Sequence, residues 1–423
     1  MSAIRAVRWC CLSQWLTDTR LYRKVSEALL RAQARRRLAR IDAAPVNRCQ
    51  VVALLGMLKQ ARGTRFGHEH DFRRISSVAD YQRLVPLSTP QSLWETYWQP
   101  ALPEPALATW PEAATQLARV QDADDPMHVP VSPSLGRAHW KALRTALALV
   151  SSQSPRHLAG DILFLGPAGS RVDAMLASGA APLLSSRIRL GREGRAREVG
   201  PIPDEIDPVQ AVLRSTPTPD VSCILADRER FGRMLYSLRW QTGTRHVREV
   251  WPQLSAVVLT DRCPPEGKTV GFALDVDGVE VRQACAPLEG PLALEDRRHD
   301  GLRMLGDLDT FYEFIPREEL EKTSPARHTL ADVEPGQDYA VAFTSPAGLW
   351  SCVTGVQVTF EKREPWMLRQ IRQETVALRR PSRQQVESEP IPQLDSRPRR
   401  VDTPARRPGT IFRNAWSKLV DRG

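Results

Sequence analysis

The sequence is short of the patterns that mark secreted, membrane-spanning or zinc-binding proteins. Its 423 residues include only seven cysteines, which are scattered and odd in number and therefore predict no disulfide framework. The adjacent Cys10 and Cys11 fit no zinc spacing. No stretch approaches the roughly 18 apolar residues of a membrane span, and Arg5 and Arg8 interrupt the place where a secretory signal needs an apolar run. We therefore expect a cytoplasmic protein without a transmembrane segment.

Lysine is scarce as well, with seven among the 59 basic residues, and the formal net charge of +10 is concentrated at the two ends. Residues 1–43 and 366–423 each carry a surplus of seven basic over acidic side chains, whereas residues 44–365 carry four more acids than bases. A domain that binds nucleic acid is expected to carry a basic patch on its folded surface. The distribution of charge therefore argues against nucleic acid as a partner.

Apolar periodicity predicts helices that alternate with short buried strands. The helices are predicted at 20–41, 49–62, 132–150 and 227–240, and the strands at 161–165, 254–259, 340–344 and 355–360. Ser77 is predicted to cap a further short helix. Because helices and apolar strands alternate along the chain, the fold class is predicted as α/β.

The two ends are predicted to differ from this α/β domain, which is placed at 46–365. Residues 1–45 form a basic amphipathic helical N-terminus, which either packs on the domain or reaches an anionic surface. Residues 366–423 are rich in proline and arginine, so we expect a largely disordered tail. A short helix at 411–420 within this tail either docks on the domain or binds a partner.

Three local patterns invite a ligand, but none of them has a specific motif. His68 and His70 flank a glutamate, yet no third metal ligand lies nearby in sequence. An acidic cluster at 122–125 has the oxygen ligands of a hard cation, but a solvated loop is favoured. Residues 166–170 follow a strand, as phosphate loops do, without the lysine and full glycine pattern of a P-loop. Local chemistry alone therefore indicates no catalytic site.

Several segments, taken in order, carry a family resemblance over about residues 50–365. They are Thr64–Phe72, Glu249–Leu254, Gly301–Leu305, Phe311–Pro316 and Val333–Tyr339 with the following Ala347–Trp350. Together they resemble the auxin-responsive promoter (Gretchen Hagen) family of acyl acid amido synthetases, which are adenylate-forming enzymes. The acid-containing aromatic run at 311–316 is the most specific match. The resemblance implies the large N-terminal α/β domain of acyl-CoA synthetase-like enzymes, and we expect their mobile C-terminal domain to be absent.

Members of this family use ATP and magnesium to activate a carboxylate as an acyl adenylate, and then pass the acyl group to an amine. Three devices serve this chemistry. A loop rich in Ser, Thr and Gly wraps the triphosphate. An acid in an aromatic-Ala/Gly-Ser/Thr-Glu-Gly motif helps to hold the metal and the nucleotide. An aspartate in a Tyr-Arg-x-Gly-Asp motif binds the ribose hydroxyls.

All three devices are degraded in this sequence. The segment at the phosphate loop, 118–126, has no Gly, Ser or Thr and contains three acids, which would repel a triphosphate. The second motif falls at 285–290, where Glu289 and Gly290 match but the aromatic and hydroxyl residues do not. The third falls at 351–356, where only Gly355 matches and a valine replaces the aspartate.

The intact fold signatures and the degraded devices together predict a pseudoenzyme that acts by binding. It has no catalytic residue, no metal site and no cofactor, and Glu289, Gly290 and Gly355 are remnants of the nucleotide motifs. Two alternatives stay open: a divergent ligase that still uses Mg-ATP through Glu289, and a protein that binds an acidic partner through its basic tail. A small carboxylic acid is a further candidate ligand, in the remnant of the acyl pocket.

Overall fold

The computed structural model describes residues 20–102, 107–114, 116–120, 127–153, 161–165, 188–190, 221–263 and 276–374. The predicted tail helix, the acidic cluster at 122–125 and the turn at 166–170 lie outside the described residues. Among the described residues, no helix is long and apolar enough to cross a membrane.

Eight α-helices are described. They are α1 (Arg20–Ala43), α2 (Val46–Ala61), α3 (Arg65–Glu69), α4 (Val78–Leu84), α5 (Pro90–Leu93), α6 (Pro133–Gln153), α7 (Arg228–Thr242) and α8 (Val247–Val250). Several begin at a side chain that accepts a backbone N–H of the first turn, as Ser77 does at α4 and Asp227 at α7. The four helices predicted from periodicity are confirmed, and so is the cap at Ser77.

Thirteen strands are described, of which β1 (Gln116–Val120) and β2 (Met127–Val131) form a separate antiparallel pair. The others are β3 (Asp161–Leu165), β4 (Ile188–Leu190), β5 (Val221–Ala226), β6 (Ala256–Leu259), β7 (Glu280–Cys285), β8 (Ala293–Asp296), β9 (Gly301–Met304), β10 (Phe311–Pro316), β11 (Asp338–Ser345), β12 (Leu349–Lys362) and β13 (Met367–Gln373). These eleven strands make one mixed sheet in the order β10-β11-β12-β13-β9-β8-β7-β6-β5-β3-β4.

The sheet is parallel from β4 to β7 and antiparallel from β7 to β10. Strands β5 and β6 are buried along their whole length, as expected of strands inside a parallel sheet. Because β5, β6 and β7 run parallel, the loops at their carboxyl ends meet at one edge of the sheet. In open α/β sheets this edge is the usual place for a ligand.

The last strand corrects the expected start of the tail at residue 366. Residues 367–373 form β13, which pairs with β12 along most of its length and with β9 through Met367 and Leu368. Met367, Leu368 and Ile371 are buried. The sheet therefore extends beyond Pro365, where the composition of the sequence changes.

The basic helix α1 packs on the domain through its carboxyl half. Ala34, Leu38 and Ile41 are buried in a hydrophobic cluster that also contains Trp140 and Leu143 of α6. Arg37 adds a bidentate contact to Asp307, with Nη2 donating to Oδ1 at 3.0 Å and Nη1 to Oδ2 at 2.5 Å. For this half of the helix, packing is the correct one of the two interpretations that the sequence left open.

Candidate functional site

The remnant of the second motif lies on the loop after β7, at the carboxyl edge of the parallel strands. Ala286 donates its backbone N–H to the carbonyl of Asp261, in the loop after the neighbouring strand β6, at 3.0 Å. Gly290 closes the turn by donating to the carbonyl of Pro287 at 3.1 Å. Glu289 has no exposed surface, so its carboxylate is enclosed by protein.

The cation beside this carboxylate is the guanidinium of Arg262. Its Nη1 lies 2.7 Å from Oε1 of Glu289. Apart from this ion pair, the described residues provide neither carboxylate oxygen with a hydrogen bond. The guanidinium therefore compensates the buried negative charge of Glu289.

Arg262 also joins this loop to the last two strands. Its Nε donates to Oε1 of Gln373 at 2.8 Å, and its Nη2 donates to the backbone carbonyl of Thr354 at 3.0 Å. Thr354 lies in β12 and Gln373 at the end of β13. One side chain thus bridges the remnants of the second and third motifs.

The remnant glycine of the third motif is needed for backbone packing. Gly355 has φ = +87°, a conformation that favours glycine. A Cβ at this position would lie 2.3 Å from the carbonyl oxygen of Glu374. Glu374 in turn donates its backbone N–H to the carbonyl of Gly355 at 2.9 Å. The backbone after β13 therefore covers this motif directly.

The neighbouring valine, at the position of the ribose aspartate, belongs to the hydrophobic core. Val356 has no exposed surface and lies in a cluster with Val358, Phe360 and Ile371. An isopropyl group cannot accept a hydrogen bond from a diol. Its burial among apolar side chains places it away from any polar ligand surface.

Gly290 also has a packing role. A Cβ there would lie 3.0 Å from both Cγ2 and Oγ1 of Thr310, which is fully buried. The structure therefore brings Glu289 and the third motif together through Arg262, and it gives both glycines a structural reason to be glycine. Arg262 is the residue that the sequence reasoning missed. The available signal was its position just after the apolar run of β6, where parallel-sheet sites collect their polar groups.

A second ion pair lies at the same edge. Asp261 accepts from the backbone N–H and from Nε of Arg228, both at 3.0 Å. Arg228 is the first residue of α7, directly after β5. Asp261 and Arg262, which follow β6, thus both form ion pairs within the protein.

The His-Glu-His pattern holds no metal cluster. It lies in α3 and its carboxyl cap rather than on a strand, and no group of three metal-ligating side chains occurs among the described residues. Glu69 accepts from Arg65 Nε at 2.8 Å and from the Tyr97 hydroxyl at 2.6 Å. His70 stacks on Phe66 with ring centroids 4.0 Å apart, and burial holds the pKa of its imidazole below the usual value.

The acid of the aromatic run, Glu313, is the centre of a buried polar network. Arg327 donates Nε to Oε1 and Nη2 to Oε2 of this carboxylate, both at 2.9 Å. The Ser351 hydroxyl donates to Oε2 at 2.6 Å and also lies 2.9 Å from the Tyr81 hydroxyl. Burial raises the pKa of Tyr81, so this phenol stays protonated as a hydrogen-bond donor. The network ties α4 to β10 and β12, which explains an acid in this run without a catalytic role.

Comparison with known proteins gives a family match and a fold match. Residues 304–367 match the GH3 family central domain. Among solved structures, AtGH3.15 acyl acid amido synthetase in complex with 2,4-DB superposes with a TM-score of 0.60 at 12% identity, covering 82% of this chain and 70% of that chain. A search of curated protein sequences finds no match.

Two further solved structures match with lower TM-scores and over smaller parts of this chain. Another structure of GH3.15 acyl acid amido synthetase gives a TM-score of 0.44 at 12% identity, with 79% of this chain and 69% of that chain covered. o-Succinylbenzoate CoA synthetase from Bacillus subtilis with its acyl-adenylate intermediate gives 0.35 at 14% identity, with 60% and 62% covered.

The predicted α/β fold of an adenylate-forming enzyme is confirmed by the mixed sheet and by the superposition on a GH3 acyl acid amido synthetase. At 12% identity this superposition shows the fold alone, and the family match is confined to residues 304–367, which contain β10, β11 and β12. Residues 304–367 are thus similar to the central domain of the GH3 family, the auxin-responsive promoter family that the sequence resembles, and the chain has the fold of a GH3 acyl acid amido synthetase.

Proposed function

We propose that this acyl acid amido synthetase-like protein does not adenylate a carboxylate and acts instead by binding. The observation that carries the proposal is the 2.7 Å contact between Arg262 and the fully buried Glu289. An acid that helps to hold Mg-ATP must turn its oxygens to a hard cation. Here they face a guanidinium of the same chain, so the residues of this motif do not fit the metal–nucleotide complex.

The third motif supports the same proposal. Val356, at the position of the ribose aspartate, is buried among apolar side chains. Glu374 covers Gly355 through a backbone hydrogen bond. Val356 offers no acceptor for the hydroxyls of a nucleotide ribose, and a ribose at this position would have to displace the backbone after β13.

For the ligand, we propose a small carboxylic acid. The GH3 relative of the same fold was solved with 2,4-DB, and this chain superposes on 70% of that protein. A pocket that recognises an acyl acid does not depend on the nucleotide motifs, because recognition of the acid and activation by ATP use different groups. Binding can therefore outlast the loss of adenylation.

The test measures ATP–pyrophosphate exchange and Mg-ATP binding by the full chain. With a panel of aliphatic and aromatic carboxylic acids that includes 2,4-DB, we expect no exchange above background and no calorimetric signal with Mg-ATP. An active acyl acid amido synthetase, assayed in parallel, provides the positive control. At least one acid of the panel is expected to raise the Tm of the chain in the absence of ATP.

The contradicting result is an exchange signal that Glu289→Gln abolishes. That outcome would make the protein a divergent ligase that uses Mg-ATP through its remnant acid. Glu289→Gln keeps the size of the side chain, so a loss of signal would report the charge rather than a cavity.

A further inference from the structure

Helix α7 is fixed to the sheet by its inner face. Four apolar side chains of this face are buried in a cluster with side chains of β5 and β6, namely Phe231, Met234, Leu235 and Leu238. Asp227 caps the first turn, and Gly243 ends the helix in the left-handed conformation, at φ = +70°. The orientation of α7 is therefore set, and its remaining side chains face away from the sheet.

The outer face of α7 carries two exposed aromatic rings. Tyr236 is 57% exposed and Trp240 is 74% exposed. They are one helical turn apart, and their ring centroids lie 6.3 Å from each other. Folded proteins bury most of their tryptophan surface, because a large ring gains free energy when it leaves water. These two residues, the aromatic pair, therefore form an apolar patch that the core of the domain does not use.

Positive charge flanks the aromatic pair. Arg233 and Arg239 are both exposed, and each is three residues from Tyr236, so they lie about 60° to either side of it around the helix. Arg245, just after the helix, is exposed as well. Glu229 is the one exposed acid of α7, and it pairs with Arg233. Three exposed arginines and one exposed glutamate leave residues 229–245 with a net charge of +2 on their outer surface.

This combination of rings and charge decides between the candidate occupants. A second copy of the chain, paired about a two-fold axis, would bring the same positive patch against itself, which opposes association. Single-stranded nucleic acid is held in a positively charged groove, whereas the outer face of a helix is convex. An anionic lipid surface attracts the arginines, and its headgroup region accommodates tryptophan and tyrosine rings whose polar ends stay hydrated.

We infer that the outer face of α7 is a docking surface for an anionic lipid bilayer. The aromatic pair enters the headgroup region, and the flanking arginines contact lipid phosphates. The helix axis lies along the bilayer surface, so α7 keeps its contacts with the sheet when it docks. The inference goes beyond the proposed function, because it concerns the place at which the protein acts and not the acid that it binds.

The test measures flotation of the full chain with vesicles of phosphatidylcholine, either alone or with an equal amount of phosphatidylglycerol. We expect the chain to float with the anionic vesicles only and to be released as salt is added. Tyr236→Ser/Trp240→Ser should weaken this binding by about tenfold or more. Arg239→Gln/Arg245→Gln should weaken it as well, because the lipid phosphates lose their partners.

Matched controls remove similar side chains from other surfaces. Val52→Ser/Leu102→Ser deletes two exposed apolar side chains outside α7. Arg73→Gln/Arg74→Gln deletes two exposed arginines between α3 and α4. Both controls are expected to bind anionic vesicles as the wild type does. The Tm of every variant is measured first, and where the double serine variant melts below the wild type, the arginine variant decides.

Failure of the wild-type chain to bind anionic vesicles would overturn the inference. Binding that both α7 variants leave unchanged would also overturn it, because the basic ends of the chain would then be responsible. Binding of poly-uridylate that depends on α7, without binding to vesicles, would assign the face to nucleic acid instead. An increase of molecular mass with concentration that the α7 variants abolish would assign it to a second copy, and either result counts against the inference.

Discussion

Arg327 donates two parallel hydrogen bonds of 2.9 Å to the carboxylate of Glu313, and neither side chain is more than 10% exposed. The same guanidinium donates Nη1 to the backbone carbonyls of Gln82 at 2.8 Å and Val85 at 2.6 Å, at the carboxyl end of α4. The planar guanidinium of Arg327 thus binds a carboxylate and the carbonyls at the end of a helix at the same time, which uses most of its N–H donors.

Loss of the Glu313–Arg327 ion pair is expected to make the domain less stable to unfolding. Glu313→Ala should lower the free energy of unfolding by about 3–5 kcal/mol, because it leaves Arg327 charged and buried without its acid. The measurement is urea denaturation followed by circular dichroism. In a double-mutant cycle, Glu313→Ala/Arg327→Ala should cost less than the sum of the single variants. Additive losses would show that the pair is not energetically coupled.

Two glycines with nearly equal φ angles allow two effects of a glycine-to-alanine substitution on stability to be measured separately: the strain of a left-handed backbone and the steric clash of the added Cβ. Gly336, at φ = +85°, has no atom within 4 Å of a built Cβ, whereas the Cβ built on Gly355 meets Glu374 O at 2.3 Å. Gly336→Ala should cost about 1–2 kcal/mol for the left-handed conformation. Gly355→Ala should cost about 1–3 kcal/mol more, because the backbone after β13 must move. Equal losses of unfolding free energy for the two variants in urea denaturation would show that the backbone after β13 does not pack against Gly355.

The half-buried His70 predicts a dependence of stability on pH. Burial lowers the pKa of its imidazole below 6.5, with the backbone carbonyl of Phe66 partly opposing the shift. The unfolded chain therefore binds the proton more readily, so this contribution to stability is complete above pH ~6.5 and is lost as the pH falls through the folded-state pKa.

The check compares urea midpoints at pH 7.5 and 5.5 for three chains. His68 is exposed, so His68→Gln serves as the control. Both the wild type and His68→Gln should lose stability on acidification. His70→Phe, which preserves the stack on Phe66, should lose less. A loss in His70→Phe that equals the wild-type loss would assign the pH dependence to other groups.

A charged cluster fixes the carboxyl end of α1. Arg303, with 6% of its side chain exposed, lies 3.3 Å from Asp296 and 2.5 Å from Asp42, and it donates to the carbonyl of Ile41 at 2.8 Å. Arg303→Ala should cost about 1.5–3 kcal/mol, since it removes hydrogen bonds to Asp42, Asp296 and Ile41 while Arg298 still pairs with the buried Asp296. Arg297→Ala, at an arginine that is 42% exposed, should cost less than about 1 kcal/mol. Hydrogen exchange should show α1 opening in the first variant only.

Acid should loosen the same cluster. Burial alone would raise the pKa of Asp296, but hydrogen bonds and charge from Arg298 and Arg303 hold it below the usual value of 3.8. The stabilisation is therefore present above pH ~4 and is lost as the pH falls through the lower folded-state pKa. Asp296→Asn is expected to reduce this acid dependence when midpoints at pH 5 and pH 3 are compared.

Local patterns in the sequence were sufficient for most of the fold. The apolar stripe of α6 and the buried run of β6 are decided by contacts that repeat every few residues, so periodicity locates them. The sequence did not predict strand β13, because only Met367, Leu368 and Ile371 of its seven residues are apolar and they follow no regular alternation. Its exposed Arg369, Arg372 and Gln373 have the composition of the tail that follows.

The candidate site was only half visible in the sequence. Motif spacing located Glu289 and Gly355, but Arg262 reaches its partners across 92 residues to Thr354 and 111 residues to Gln373. No local pattern encodes such a contact, because it depends on which strands become neighbours in the sheet. For the same reason the sequence could not show that Gly290 and Gly355 serve packing.

The position of β13 has a consequence for the order in which the chain can fold during synthesis. This strand is the last of those described to be translated, yet it lies in the sheet between β12 and β9. Until residue 373 has left the ribosome, the nascent chain therefore carries two unpaired strand edges, one at β12 on a three-stranded segment and one at β9 on a seven-stranded segment. Open edges of this kind pair readily with other chains. We therefore expect both segments to be prone to pairing with other chains until β13 arrives and joins them.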